Sequence, residues 1–503
     1  MKLLKLFMSR IFIFGVLIAL QVTWIFLFTS SIVESYLWIQ PCLFIVSMLV
    51  VLWLVNKKEN PAYKISWIIL ILVFPVFGGL LYLSIGNKKP SRKIRKSTQP
   101  ILDEMDSYML LDNDVSTSIK DGKDYGLTYL SDLGYGTYEK TSTKYYSLGE
   151  YCYVDLLRDL KNAKHYIFME YFIVSEGMMF DTILNILKQK VKEGVEVRFM
   201  YDDVGSLTTL PYRFEKQMEE YGIKSLVFNP FVPIVSVALN HRDHRKICVI
   251  DGYIGYSGGF NLADEYINCL ERFGHWKDTG IRLEGDGVWN LTAMFLSLWN
   301  AFRKEDHDYA IFKPEVYQTK TCQNDGYVVA YGDSPLDDER TGENIYLNLI
   351  QQAKQEVLIM TPYFIIDDTM MKALELACKK GVKVKIITPG IPDKANVYKV
   401  TRSYYHNLIE AGIEFYEYKP GFLHAKGILC DRKLATVGTI NFDYRSLYLH
   451  FECNVLLYET SAVKEIEKDF EETLALSQKI DQKRSRKYMG LYEAILRLFA
   501  PLM

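Results

Sequence analysis

Two histidine-centred frames recur in this chain at one spacing. The first holds His244, Lys246, Asp251, Gly258 and Asn261, the second His424, Lys426, Asp431, Gly438 and Asn441. Each position of the second lies 180 residues after its counterpart. With all residue types equally common, one match to this pattern in a chain of this length has a chance on the order of 10⁻⁴. Two matches in register are therefore a duplication. The chain has only 8 histidines, and placing two of them in duplicated frames points to paired chemistry.

That chemistry suits phosphate. A neutral imidazole is a nucleophile and base near neutral pH, and an imidazolium is a general acid. One histidine can attack phosphorus while the other protonates the leaving alkoxide, and the roles reverse in the second half-reaction. Lysine two residues on along a strand shares the histidine's face. Its ammonium can neutralise a phosphate oxygen, and the asparagine amide can donate to another. The strands that carry these groups read Lys246–Ile250 and Lys426–Cys430, ending at the turns Asp251-Gly252 and Asp431-Arg432. Each aspartate is expected to fix its turn and the lysine rather than touch substrate.

At these residues the chain resembles the phospholipase D superfamily, marked by a doubled HKD motif, and more closely the bacterial cardiolipin synthases. The closer resemblance rests on Asn240–Lys246, Gly258–Asn261 with Ala263–Tyr266, Trp276–Thr279, Phe422–Lys426 and Asn441–Ser446, within roughly residues 60–503. One departure is Gly259, where the superfamily often has serine; the second frame has Thr439. The two half-sites are thus chemically unequal. The resemblance also implies that each histidine bonds a carboxylate some tens of residues downstream. Asp278 follows His244 by 34 residues and Glu452 follows His424 by 28. These two are the expected supports of their respective histidines.

The elements that must position these groups form a second repeat. Tyr153–Leu157 matches Tyr346–Ile350, Lys192–Val197 matches Lys379–Val384, and Tyr221–Ile223 matches Ala411–Ile413. Each half reads β-α-β-α-β before its HKD strand, with glycine ending helices. This is a duplicated α/β architecture. The expected domains are a membrane anchor over 1–97, a polar connector over 98–140, and two phospholipase D-like domains over 141–320 and 321–503. By resemblance the two pack as a pseudo-dimer with the histidines facing each other.

The N-terminal 97 residues have a different character. Apolar runs over 11–33, 36–55 and 65–85 are long enough to be membrane spans, the third broken by Pro75. No small-x-small cleavage site follows the first run, so an anchor is favoured over a signal peptide. Basic residues precede the first run, lie between the second and third (Lys57, Lys58, Lys64), and follow the third (Lys88–Lys96). Three crossings would put the last cluster opposite the others, against the positive-inside tendency. A re-entrant third segment keeps the catalytic part cytoplasmic; a full crossing places it outside. The basic cluster also suits anionic lipid. At the other end, Lys483, Arg484, Arg486 and Lys487 precede an apolar stretch over 488–503 that fits an interfacial helix or a helix docked on the core.

Composition narrows the partners. A net charge of −2 supplies no basic field for nucleic acid. The 8 cysteines form no CxxC pair and read as free core thiols. No cluster of His, Cys and carboxylate has metal-ligand spacing, so no metal or other cofactor is expected. The resulting expectation is a multi-pass enzyme of the bacterial plasma membrane acting on phosphatidylglycerol. By resemblance His244 attacks the phosphorus of one molecule, His424 protonates the departing glycerol, and a second molecule takes the phosphatidyl group to give cardiolipin. The rivals are a membrane hydrolase with the same motif and a non-catalytic membrane scaffold; intact His, Lys and Asp in both frames oppose the scaffold.

Overall fold

The computed structural model describes residues 39–74, 92–109, 126–231, 240–337 and 339–502, with isolated positions from 16 to 31 and from 78 to 86. The first half contributes β1 (Thr141–Tyr146), β2 (Tyr166–Tyr171), β3 (Glu196–Asp202), β4 (Lys224–Phe228), β5 (Ile247–Ile250), β6 (Ile254–Gly258), β7 (His275–Lys277) and β8 (Gly280–Gly285). The second contributes β9 (Tyr327–Asp333), β10 (Glu356–Met360), β11 (Lys383–Pro389), β12 (Glu414–Tyr418), β13 (Gly421–Leu423), β14 (Gly427–Cys430), β15 (Leu434–Gly438), β16 (Glu452–Tyr458) and β17 (Ser477–Ile480).

The sheets have the orders β1-β8-β6-β5-β2-β3-β4 and β17-β12-β11-β10-β14-β15-β16-β9. In each, three strands joined by helical crossovers run parallel (β2, β3, β4; β10, β11, β12), and the HKD strand turns back antiparallel beside the first of them. The HKD strands β5 and β14 are therefore interior strands covered on both faces, which is why they read as unbroken apolar runs. Their side chains alternate between two cores. Ile247, Val249 and Leu429 enter one buried cluster that draws on both sheets, while Cys248 and Ile250 face an outer cluster of the first half and Ile428 and Cys430 one of the second. The shared cluster also holds Trp289, Phe295 and Trp299 of the buried helix Val288–Arg303. Each fully buried large apolar side chain is worth roughly 1.5–3 kcal/mol, so this common layer holds the two halves together as one body.

The halves are also stitched along their backbones at the two histidines. β7 pairs in parallel with β13, setting Lys277 opposite Leu423. His424 N–H then donates to the carbonyl of Lys277 at 2.7 Å. On the other side Asp243 bridges Phe451, and His244 N–H donates to the carbonyl of Phe451 at 2.8 Å. Each HKD frame thus enters its strand held by the opposite half.

Part of the expected connector is structured. The helix Arg92–Met109 lays Ile94, Met105 and Met109 into the shared core, and Tyr108 accepts a bond from the Trp289 indole at 3.1 Å. Its apolar residues recur at helical spacing within a polar stretch, a pattern masked by the overall polarity.

Among the described residues no helix is long and apolar enough to cross a membrane. The apolar run over 11–33 lies mostly outside the described residues. The run over 36–55 corresponds to the helix Ile39–Asn56, and that over 65–85 to a helix, Pro61–Val73, that ends well short of it. Asn60 caps the second helix, accepting from Ala62 N–H at 3.0 Å, and donates to Asp367 at 2.9 Å in the second half. Ser66 donates to the carbonyl of Leu498 at 2.6 Å. This hairpin therefore docks on the second half through its turn and second helix, while Phe44, Leu49, Leu52 and Trp53 of the first helix stay exposed.

Candidate active site

The local turn after each HKD strand comes first. Asp251 and Asp431 both adopt a left-handed backbone at φ 48°, a conformation Asp tolerates because its side chain can bond nearby amides. The Asp251 carboxylate accepts from the N–H groups of Lys164, His165 and Tyr166 at 2.8, 2.7 and 2.9 Å. Asp431 does the same for Lys354, Gln355 and Glu356 at 2.9, 2.8 and 3.0 Å. Both aspartates staple the turn to the start of the neighbouring parallel strand. Neither aspartate borders the cavity or bonds its lysine, which corrects the expected hold on Lys246 and Lys426 and leaves Asp251 and Asp431 as supports of the turn.

At the other end of the strands, His244 and His424 face one cavity of about 660 Å³ that Asn261 and Asn441 also line. Its walls near the histidines are aromatic: Phe172 packs against His244, and Tyr266, Trp276 and Phe422 surround His424. Arg272, Lys394 and Arg445 line it as exposed side chains, and Arg242 lines it from a buried position.

The carboxylate partners are exchanged relative to the expected pairing. His244 Nδ1 lies 2.9 and 2.8 Å from the two oxygens of Glu452, and His424 Nδ1 lies 2.6 Å from Asp278 Oδ2. Each histidine is supported by the other half's carboxylate, because Glu452 follows Phe451 and Asp278 follows Lys277, the residues whose backbones hold the opposite frames. Counting residues within one half cannot reveal this, since the pairing is set by domain packing.

The lysines lie beneath the histidines. Lys246 Nζ donates to the His244 carbonyl at 2.6 Å, and Lys426 Nζ lies 2.7 Å from His424 Nδ1 and also bonds the His424 carbonyl. Burial lowers both ammonium groups, Lys246 to about 8 against the pull of Glu452 and Lys426 to about 7 against that of Asp278. Burial, reinforced by Lys246, takes His244 well below the ordinary imidazole range. Burial and Lys426 lower His424 to about 4, with Asp278 opposing. The carboxylates diverge. Burial drives Glu452 well above the carboxylate range with Lys246 only partly offsetting it. Burial works against ionised Asp278 too, but Lys426 and His424 outweigh it and hold that carboxyl below the ordinary range.

Asn261 accepts from Ile173 N–H at 2.9 Å and donates to Tyr266 Oη at 2.9 Å; Asn441 donates to Ser446 Oγ at 3.0 Å. These bonds fix the amides, and each NH₂ retains a second hydrogen. The unequal residues at the motif glycines also gain a reason. The hydroxyl of Thr439 donates to Glu452 Oε2 and accepts from Cys453 N–H at 2.9 Å. At Gly259 a Cβ would stand 2.0 Å from Asp278 Oδ1, so any side chain there displaces the carboxylate.

The sequence reading did not single out His450. Its position two residues before Glu452, on the same face of the chain, is the available signal. Among the described residues, the fold gathers His244, His450 and Glu452 with ligand atoms within 4.8 Å of one another. The absence of metal-ligand spacing along the chain therefore did not exclude a cluster assembled in space.

Fold and site together define the class: a duplicated phospholipase D-like protein with one composite cavity. The family described as "Cardiolipin synthase, PLD-like domain" matches residues 156–271 and 346–474, and "Phospholipase_D-nuclease N-terminal" matches 43–87. The chain is 36% identical to "Cardiolipin synthase 2" of Bacillus cereus over 89% of this chain and 88% of that one. It is 34% identical to "Cardiolipin synthase" of Oceanobacillus iheyensis over 89% and 95%. The chain belongs to the cardiolipin synthase family of phospholipase D-like enzymes. A solved phosphatidylserine synthase of Haemophilus influenzae shares the fold at 14% identity and a TM-score of 0.55, over 72% of this chain and 93% of that one.

Proposed function

We propose that the protein transfers a phosphatidyl group from one phosphatidylglycerol to another, giving cardiolipin and glycerol. The observation that carries this reading is the pair of crossed histidine–carboxylate bonds facing one cavity. With its proton on Nδ1, held by Glu452, neutral His244 presents a lone pair at Nε2. That nitrogen attacks phosphorus, the phosphorus–oxygen bond to glycerol breaks, and His424 gives the leaving oxygen its proton. Burial keeps His424 neutral in the free protein; the anionic phosphate of the bound lipid, together with ionised Asp278, supplies the charge that lets it hold the proton as an imidazolium. The terminal hydroxyl of a second phosphatidylglycerol then loses its proton to His424 and displaces His244 from phosphorus. Lys246 and Lys426 neutralise the non-bridging oxygens, and the spare N–H groups of Asn261 and Asn441 bond them. No step in this sequence calls on a metal.

Transfer rather than hydrolysis is supported by the aromatic walls, which limit water around the intermediate. The bilayer supplies the acceptor at high local concentration. We place the protein at the bacterial plasma membrane through the hairpin over 39–73, the segments before it and the amphipathic helix Leu491–Phe499, whose Leu491 is 79% exposed. Ala500, just beyond that helix, lines the cavity, and the basic flanks favour a cytoplasmic catalytic part. Phosphatidylglycerol as sole lipid, with glycerol release and lipid product followed together, tests this. Cardiolipin and glycerol in equal amounts are expected. Phosphatidic acid in place of cardiolipin would make the enzyme a hydrolase.

A further inference from the structure

We propose that His244, His450 and Glu452 form a binding site for a divalent cation of the zinc class, and that an ion bound there inhibits the enzyme. The inhibitory half of this statement rests on the catalytic reading above; the binding half does not.

His450 is buried, with neither ring nitrogen hydrogen-bonded, yet its Nδ1 lies 3.6 Å from Glu452 Oε1. Its ring centre is 5.7 Å from that of His244. A buried imidazole with two orphaned nitrogens is costly unless something polar meets it. Imidazole and carboxylate are zinc ligands, and bonds of about 2.0–2.1 Å in a tetrahedral site put ligand atoms about 3.3 Å apart. Ligand atoms already within 4.8 Å of one another need to close by at most about 1.5 Å to reach that spacing. The fourth position faces the catalytic cavity, where water or a phosphate oxygen can complete the shell.

His450 also borders a second cavity of about 730 Å³, between the hairpin turn and the second half, lined by Asp333, Glu339 and Asp367 as well as Lys58, Arg95 and Arg340. This gives an ion a polar approach that does not pass through the lipid site. Lys246, Arg242 and Arg445 surround the imidazole and oppose a cation, so the site is suited to a reversible inhibitor rather than a permanently held ion. On binding, the ion takes the place of the proton on His244 Nδ1, and that proton and any carried by the Glu452 carboxyl leave to solvent. His244 then loses the hydrogen bond that orients it. The His424 half has no counterpart, because Trp276 stands two residues before Asp278 where His450 stands before Glu452.

The test uses the chelator-stripped full chain in detergent micelles. Cobalt(II) titration should give a saturable visible absorption band at one ion per chain in the wild type and in His424→Gln, and lose it in His450→Gln. Zinc should inhibit glycerol release reversibly by chelator. Loss of a second-sphere partner alone weakens metal sites about 10–100-fold, so His450→Gln should raise the inhibitory zinc concentration at least that much while zinc-free turnover persists. Thermal melting of the variant checks its fold. Equal cobalt binding in wild type and His450→Gln, or no band in the wild type, overturns the site. Cobalt binding that depends on His450 in a protein without turnover on phosphatidylglycerol would leave the site standing and remove the catalytic reading.

Discussion

The two half-sites have the same backbone plan and different chemistry. His244 faces Glu452, which Thr439 bonds, and His450 stands alongside. His424 faces Asp278, which lies against bare Gly259, with Trp276 in the place of His450. The longer carboxylate needs a hydroxyl to hold it; the shorter one needs the space that a missing side chain leaves. Electrostatics follow the same division, since Asp278 is held ionised while Glu452 is pushed toward its neutral form. On the proposed mechanism, this division suits His244 to attack and His424 to carrying the proton.

The strongest way to break that division is to remove each histidine. His244→Ala and His424→Ala should both abolish cardiolipin formation, and general acid–base catalysis alone is worth about 10²–10⁴-fold. A phosphatidyl ester with a good leaving group, such as p-nitrophenol, separates them. His424→Ala should release nitrophenol in a first turnover, and His244→Ala should not. A burst from His244→Ala would exchange the two roles.

Next in size are the carboxylates. Asp278→Asn should cost about 10²–10⁴-fold in turnover by removing the anion that supports the His424 imidazolium. The nitrophenyl ester should recover more of that loss than of the loss in Glu452→Gln. Equal recovery would mean that the half-sites do not differ in proton transfer.

The pH profile offers a finer comparison. Burial lowers the Lys426 ammonium to about 7 and that of Lys246 to about 8 in the free protein. Raising pH through that range should lower kcat/KM as phosphate neutralisation is lost. In kcat the same limb should move upward, because bound phosphate favours the ammonium forms. Lys426→Arg, which remains protonated, should move the limb of kcat/KM toward Lys246.

Smaller effects come from the supports. Gly259→Ser forces Asp278 aside and should slow turnover about tenfold or more, while Thr439→Val, which leaves buried partners of the hydroxyl unsatisfied, should cost about 1–3 kcal/mol of stability or its equivalent in rate. Asp251→Asn should lower Tm with turnover per folded molecule unchanged, because that carboxylate bonds only backbone amides. Loss of turnover without loss of Tm would bring Asp251 back into the chemistry.

Both histidines, both lysines and both asparagines could be named from spacing, because extended chain puts each lysine on the face of the histidine two residues before it, and a short turn and return strand of fixed length bring each asparagine back beside them. Asp278 and Glu452 could be named but not assigned, since their partners lie across a domain boundary. His450 carried no motif and emerges only where β16 enters beside the first half. The helix Arg92–Met109 was hidden in a polar stretch whose few apolar residues matter only once the shared core is there to receive them.

The sequence by itself determined the duplicated α/β plan, the residue types of the candidate site and the family resemblance. Those depend on local periodicity and fixed spacing, which survive in one dimension. Only the tertiary structure decided which carboxylate serves which histidine, why one motif position must be glycine, and that a third histidine stands beside the first half-site. Those depend on the packing of one half against the other, and the backbone bonds of Lys277 and Phe451 to the opposite frames set that packing.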